Sequence, residues 1–185
     1  MIYIIDHKDS FTHNVVHQFE NFDDVYCDNF NDIKQSKLNK AKVVVFSPGP
    51  GSPKDYPNSS RIYKELKGKK KIIGICLGFQ QILYCERGKI VQQNKIYHGY
   101  QSKVKVTGNN SLFKKNQKFT VGRYHSLKLQ EPFAAKNFEI TMRCDISHTA
   151  MAIENNIDKI YGFQFHPESF LTENGNLLIK KILSA

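Results

Sequence analysis

The sequence predicts an α/β protein: a doubly wound, mostly parallel sheet with helices on both faces and an antiparallel extension. Three observations predict it. Continuous β-rich apolar runs alternate with helix-period segments as far as Glu86. Glycine-rich turns follow two of those runs, at the strand ends where such sheets bind ligands. After Gly88 the pattern changes to short strands separated by turn residues, with no linker composition, so residues 1–185 are expected to form a single domain.

Met1 to Ile5 reads as a buried parallel strand closed by Asp6. Asp9 or Ser10 can cap the helix that follows, each offering a short oxygen to the first-turn N–H groups. Phe11, Val15, Val16, Phe19 and Phe22 recur at helical spacing. Val25–Cys27 is a second strand, 33–38 a weak helix, and Lys42–Phe46 a third strand. Ser47-Pro48-Gly49-Pro50-Gly51-Ser52-Pro53 cannot continue strand or helix. A helix over 58–66 returns to a fourth strand, Ile72–Ile75, and 80–86 is the next helix. The remaining strands are expected over 89–91, 102–107, 119–121, 138–143, 149–153 and 160–165, as an antiparallel extension of the same sheet. An amphipathic helix over 174–183 closes the chain.

Composition narrows the function classes. The 40% hydrophobic and 24% charged content describes a soluble globular chain, and no apolar run approaches the roughly 18 residues that span a bilayer. The N-terminus has no basic start or small-residue cleavage site, so a cytoplasmic protein is expected. Cys27, Cys76, Cys85 and Cys144 show no Cys-x-x-Cys pair and read as free thiols in a reducing compartment. The formal charge is +10, from scattered lysines with one run at Lys67-Gly68-Lys69-Lys70-Lys71. Between a helix and a buried strand, that run reads as a solvated turn more readily than as a phosphate-binding patch, and no nucleic-acid or membrane partner is expected. His13 and His17 are spaced i, i+4 on a helix but lack a third ligand nearby, so no metal site is expected.

The chemistry centres on Gly74-Ile75-Cys76-Leu77-Gly78, a strand that turns sharply into a helix. Gly-x-Cys-x-Gly has the layout of the nucleophile elbow Gly-x-Ser-x-Gly, with sulfur for oxygen. The helix dipole behind Cys76 favours thiolate, although a buried inert cysteine fits the same spacing. A cysteine nucleophile needs a base remote in sequence but near in space. His166 lies just past an apolar strand, and Glu168, two residues on, projects to the same side of an extended segment, where it can hold the imidazole. A solvated loop pair is the competing reading. Acyl transfer also needs oxyanion donors: the Leu77 backbone N–H is the natural first, and Gly51 in the loop after strand three fits the second. An ordinary tight turn competes for Gly49-Pro50-Gly51. His125 and His98 sit near the same edge and read as supporting or interface residues.

Taken together, Pro48-Gly49-Pro50-Gly51-Ser52-Pro53, Gly74-Ile75-Cys76-Leu77-Gly78-Phe79-Gln80, Arg123-Tyr124-His125-Ser126-Leu127 and Phe165-His166-Pro167-Glu168-Ser169 resemble the class I (triad) glutamine amidotransferases, of flavodoxin-like fold. Asp9-Ser10-Phe11-Thr12 narrows the resemblance to the glutaminase subunits of anthranilate synthase and aminodeoxychorismate synthase. The resemblance implies that Cys76 attacks the side-chain amide of L-glutamine, that His166 moves the proton, and that Glu168 orients His166. It places Gly49, Pro50 and Gly51 along the glutamine and oxyanion site, with Gln80, Ser126 and Leu127 on the α-amino and α-carboxylate groups. It implies no cofactor and no metal in this chain, and a chorismate-binding synthase subunit as partner. The alternatives are a glutaminase for guanylate, carbamoyl phosphate or imidazole glycerol phosphate synthesis, or a non-catalytic binding subunit. Three departures stand out: Phe79 where the family usually has His, Arg87 where a glycine is common, and His7-Lys8 between the first aspartates.

Overall fold

A computed structural model describes all of residues 1–185. Nine strands form one sheet. Its parallel part contains β1 (Ile2–Asp6), β2 (Val25–Asn29), β3 (Val43–Phe46), β4 (Lys71–Ile75) and β11 (Ile160–Phe163). Its antiparallel part contains β6 (Tyr100–Val106), β7 (Lys118–Arg123), β9 (Glu139–Cys144) and β10 (Ala150–Asn155). The strand order is β2-β1-β3-β4-β11-β10-β9-β6-β7.

The helices are α1 (Thr12–Glu20), α2 (Gln35–Lys40), α3 (Pro57–Leu66), α4 (Leu77–Cys85) and α5 (Gly175–Leu183). They divide between the two faces of the sheet, as the continuous apolar strands require. Because strand side chains alternate, Ile2, Ile4, Val45, Ile73 and Ile75 pack on the face that holds Val15 and Phe19 of α1 and Leu178, Ile179 and Ile182 of α5. Tyr3, Ile5, Val44, Phe46 and Ile72 face the other way, onto Leu38 of α2, Ile62 and Leu66 of α3, and Phe79, Ile82 and Leu83 of α4.

The structure departs from the sequence expectations in four places. The 160–165 strand is parallel to β4, in register Phe163 with Ile75, and so belongs to the parallel half rather than to the antiparallel extension. The 89–91 strand leaves the main sheet: β5 (Lys89–Gln92) pairs with an unexpected β8 (Leu127–Gln130) as a separate two-stranded ribbon. Helix α4 starts directly after Cys76, three residues before the 80–86 helix that the sequence predicts. Asp9 does not cap α1 at its first turn: its Oδ1 accepts the Phe11 N–H at 2.8 Å, closing the turn just before the helix begins.

Two departures from the family pattern find physical explanations. Phe79 is fully buried, and its ring lies against Gly162 of β11, where an added Cβ would come within 3.0 Å of it. Arg87 sits past the C-terminal end of α4 with φ 67°, the left-handed conformation that suits glycine. Its amide still closes onto the Tyr84 carbonyl at 3.1 Å.

The elbow tolerates no side chain at Gly78, since a Cβ there would sit 2.0 Å from the Phe46 carbonyl oxygen. Gly78→Ala should therefore cost about 3 kcal/mol or more in urea unfolding, because the backbone of β3 must move. Arg87→Gly should instead stabilise by about 1 kcal/mol, by removing the left-handed strain. A neutral result for either would contradict the close packing or the strain.

Candidate active site

Cys76 stands where β4 gives way to α4. Its φ of 52° and ψ of −99° lie outside the regions that side-chain-bearing residues favour. Its N–H donates to the Phe163 carbonyl at 2.8 Å, and its own carbonyl accepts the Gln80 N–H at 3.1 Å. The sulfur thus sits at the N-terminus of α4, where the first amides, Leu77's included, have no acceptor within the helix. Cys76 is 7% exposed.

The pairing of β11 with β4 carries the chain from Phe163 through Gln164 and Phe165 to His166 alongside the elbow. His166 is anchored by its N–H to the Gly122 carbonyl at 3.1 Å. Its Nδ1 lies 2.7 Å from Glu168 Oε1, and both side chains are almost fully buried. Phe11 and Tyr124 wall the ring, with centroids 5.1 and 5.0 Å away. The Tyr124 hydroxyl is fixed to Ser169 Oγ at 3.0 Å. Nε2 of His166 makes no well-formed hydrogen bond to protein. Burial opposes protonation of this ring, but the Glu168 carboxylate and the neighbouring Cys76 sulfur outweigh it and raise its pKa well above the ordinary value. Sulfur, imidazole and carboxylate therefore form one buried, charge-coupled cluster.

Most of the other sequence-predicted residues surround this cluster. Gly49 packs on the elbow itself; a Cβ there would lie 2.4 Å from Leu77 Cδ2. Pro50 and Gly51 are exposed on the outer part of the same loop, and the Pro50 carbonyl accepts the Tyr56 hydroxyl at 2.9 Å. Gln80 is buried, and its Nε2 donates to Gln164 Oε1 at 3.0 Å and, more weakly, to the Leu127 carbonyl at 3.4 Å. Ser126 and Leu127 are half-buried beside it. The predicted helical pair His13 and His17 is exposed on α1, away from this cluster.

Sequence reasoning missed Gln164. It is fully buried, and its Nε2 donates to Cys76 Sγ at 3.8 Å. Its place, immediately after β11 and two residues before His166, was the available signal. The network continues outward. His125 Nδ1 donates to the Leu127 carbonyl at 2.8 Å, and its Nε2 accepts from Arg123 Nε at 3.0 Å. Arg123 is fully buried, with its guanidinium 3.4 Å above the Tyr97 ring centre. His125 thus supports the Ser126–Leu127 loop, as expected. The first-loop departure, His7, is also buried: Nε2 meets Ser59 Oγ at 2.9 Å, and its backbone N–H donates to Ser47 Oγ at 2.9 Å, tying the Ser47–Gly49 loop to β1.

Both support histidines are held neutral. Desolvation lowers the His7 pKa to about 4. Desolvation and then the Arg123 charge lower that of His125 to about 3. A histidine whose folded pKa is depressed contributes stability that is complete above its unfolded value and is lost as pH falls towards the folded one. Unfolding free energy from urea melts should therefore drop from pH 6.5 downward, by roughly 1 kcal/mol per pH unit for each ring. His166, with a raised pKa, adds nothing to this slope, since its contribution is complete below the unfolded value. A flat profile between pH 6.5 and 5 would show that the two rings accept protons without loss.

The family described as "Glutamine amidotransferase class-I" matches residues 3–185. The chain is 40% identical to anthranilate synthase component 2 of Lactococcus lactis subsp. lactis, over 100% of this chain and 94% of that one. It is 35% identical to aminodeoxychorismate synthase component 2 of Klebsiella aerogenes, over the full length of both. Among solved structures, a glutamine amidotransferase from Thermotoga maritima superposes with a TM-score of 0.71 at 16% identity, over 90% of this chain and 75% of that one; this likeness concerns the fold alone. With a matching family description along nearly its whole length, and relatives of this identity and coverage, the chain belongs to the class I glutamine amidotransferases.

Proposed function

We propose that residues 1–185 act as one glutaminase domain, which hydrolyses L-glutamine to glutamate and hands the ammonia to a chorismate-using synthase subunit. The observation that carries this reading is the buried cluster in which Glu168 holds His166 at 2.7 Å with Cys76 beside the ring at the start of α4. The names of the relatives favour the chorismate partners over guanylate, carbamoyl phosphate or imidazole glycerol phosphate synthesis.

In this mechanism the Cys76 proton resides on His166, and the sulfur attacks the glutamine side-chain carbonyl carbon. The carbonyl electrons move onto oxygen, which accepts the N–H groups of Leu77 and Gly51. His166 gives its proton to the amide nitrogen, the C–N bond breaks, and ammonia leaves a γ-glutamyl thioester. Water then attacks with His166 as base, the C–S bond breaks, and glutamate departs. Glu168 keeps the ring oriented and stabilises its charge throughout. Gly49 and Pro50 shape one wall of the glutamine site, and Gln80, Ser126 and Leu127 hold the α-amino and α-carboxylate groups. Gln164 adds a hydrogen-bond donor that holds the sulfur in place.

Cys76→Ser should abolish glutamine hydrolysis, while the complex with its synthase still forms product from added ammonium. Equal glutamine turnover by variant and wild type would remove Cys76 from the mechanism. Gln164→Leu should lower kcat/KM for glutamine by about 10- to 100-fold, as expected on losing a hydrogen bond to a charged group. An unchanged kcat/KM would remove Gln164 from the mechanism.

A further inference from the structure

The pole of the sheet opposite Cys76 carries an unusual arrangement of charge. Lys42 immediately precedes β3, Lys71 opens β4, and Lys159 immediately precedes β11. Backbone hydrogen bonds fix their levels: Ile72 N–H donates to the Lys159 carbonyl at 3.0 Å, setting Lys159 beside Lys71, and Lys71 N–H donates to the Lys42 carbonyl at 3.3 Å, setting Val43 beside Lys71 and Lys42 one residue further out. Adjacent strands lie about 4.8 Å apart, so Lys71 and Lys159 form a cross-strand pair of like charges that repel, with Lys42 just before the neighbouring strand. The turn before β4 adds Lys69 and Lys70, and α5 adds Lys180.

These six lysines line one cleft of about 860 Å³, floored by apolar side chains such as Ile2 and Val43. Only two acids share it, and both are engaged. Asp23 Oδ2 binds the N-terminal ammonium at 2.6 Å, and Asp158 Oδ2 accepts from Asn155 Nδ2 at 2.8 Å. Lys70 Nζ donates to the Asn39 and Ala41 carbonyls, and Lys71 Nζ to the Ile182 and Leu183 carbonyls, so neither is neutralised by an anion. Burial and then the Lys159 charge make Lys71 easier to deprotonate. The ammonium groups of Lys42, Lys69, Lys159 and Lys180 have no hydrogen-bond or ion-pair partner in the protein.

We infer that this cleft is a binding site for a small, multiply charged, phosphate-bearing anion. Its volume falls in the range of small-molecule sites, about 300–1,000 Å³. No arginine lines it. Planar, bidentate recognition of a carboxylate favours arginine, whereas lysine serves phosphate as a point charge. A single-stranded nucleic acid would want several exposed rings for stacking, and Phe22 is the only ring on its walls. β4 runs from Lys71 at the cleft to Ile75 beside the nucleophile, roughly 13 Å at 3.3 Å per residue, so the ligand would not compete with glutamine. The inference stands independently of the reaction at Cys76.

The test uses the full chain and inorganic tripolyphosphate, with sodium chloride matched for ionic strength, followed by calorimetry and thermal melts. Saturable single-site binding is expected in wild type, weakened at least tenfold in a Lys42→Gln/Lys159→Gln double variant. Without ligand, the variant should melt no lower than wild type, since the substitutions relieve repulsion. Heats no larger than those of the matched salt, or binding unchanged in the variant, would overturn the site. So would a lower melting temperature of the ligand-free variant, which would assign the lysines to the fold. Tighter binding of a single-stranded oligonucleotide through the same two lysines would overturn the small-anion assignment.

Discussion

The whole site depends on one strand pairing: β11 beside β4, parallel, with Phe163 opposite Ile75. That register sets two chain exits at the same level of the same sheet edge. One exit becomes the elbow at Cys76; the other continues to His166. A shift of one residue would turn every side chain of β11 to the opposite face, exchanging Tyr161 and Phe163 with Ile160 between the two layers of core. Burial on both faces makes such slippage costly, so the geometry at the sulfur is enforced by the packing beneath it.

Much of this arrangement could be read from the residues. The parallel half was legible because its strands are continuous apolar runs with helix-period segments between them, a pattern with few alternatives. The elbow was legible because a sharp turn leaves room only for glycine at 74 and 78, and His166 and Glu168 because an extended segment sets alternate residues on one side. Strand direction was not legible. The 160–163 run is apolar on both faces like β4, but it follows short strands separated by turn residues, and their antiparallel pattern hides its direction. β8 was hidden because its first residue, Leu127, belongs to a motif read for binding rather than for strand formation.

The least legible part is the polar network around the cluster. Arg123, His125, Gln80 and Gln164 lie in different segments, and each alone reads as an ordinary core or loop residue. Only folding joins them by hydrogen bonds from a buried guanidinium to the Cys76 sulfur. Buried polar groups are costly unless partnered, so these residues constrain one another's positions as tightly as apolar packing would. The Leu127 carbonyl shows this most directly, since it accepts from both Gln80 and His125.

The ring of Phe79 seated against Gly162 has a mechanical meaning. The helix that begins after Cys76 is keyed into the strand that leads to His166 by an aromatic plug in a notch with no side chain of its own. Sliding one past the other would open a void in the buried core. Breathing motions of the sheet must then carry thiol and imidazole together, and whatever changes shape around a bound substrate has to be the surrounding loops.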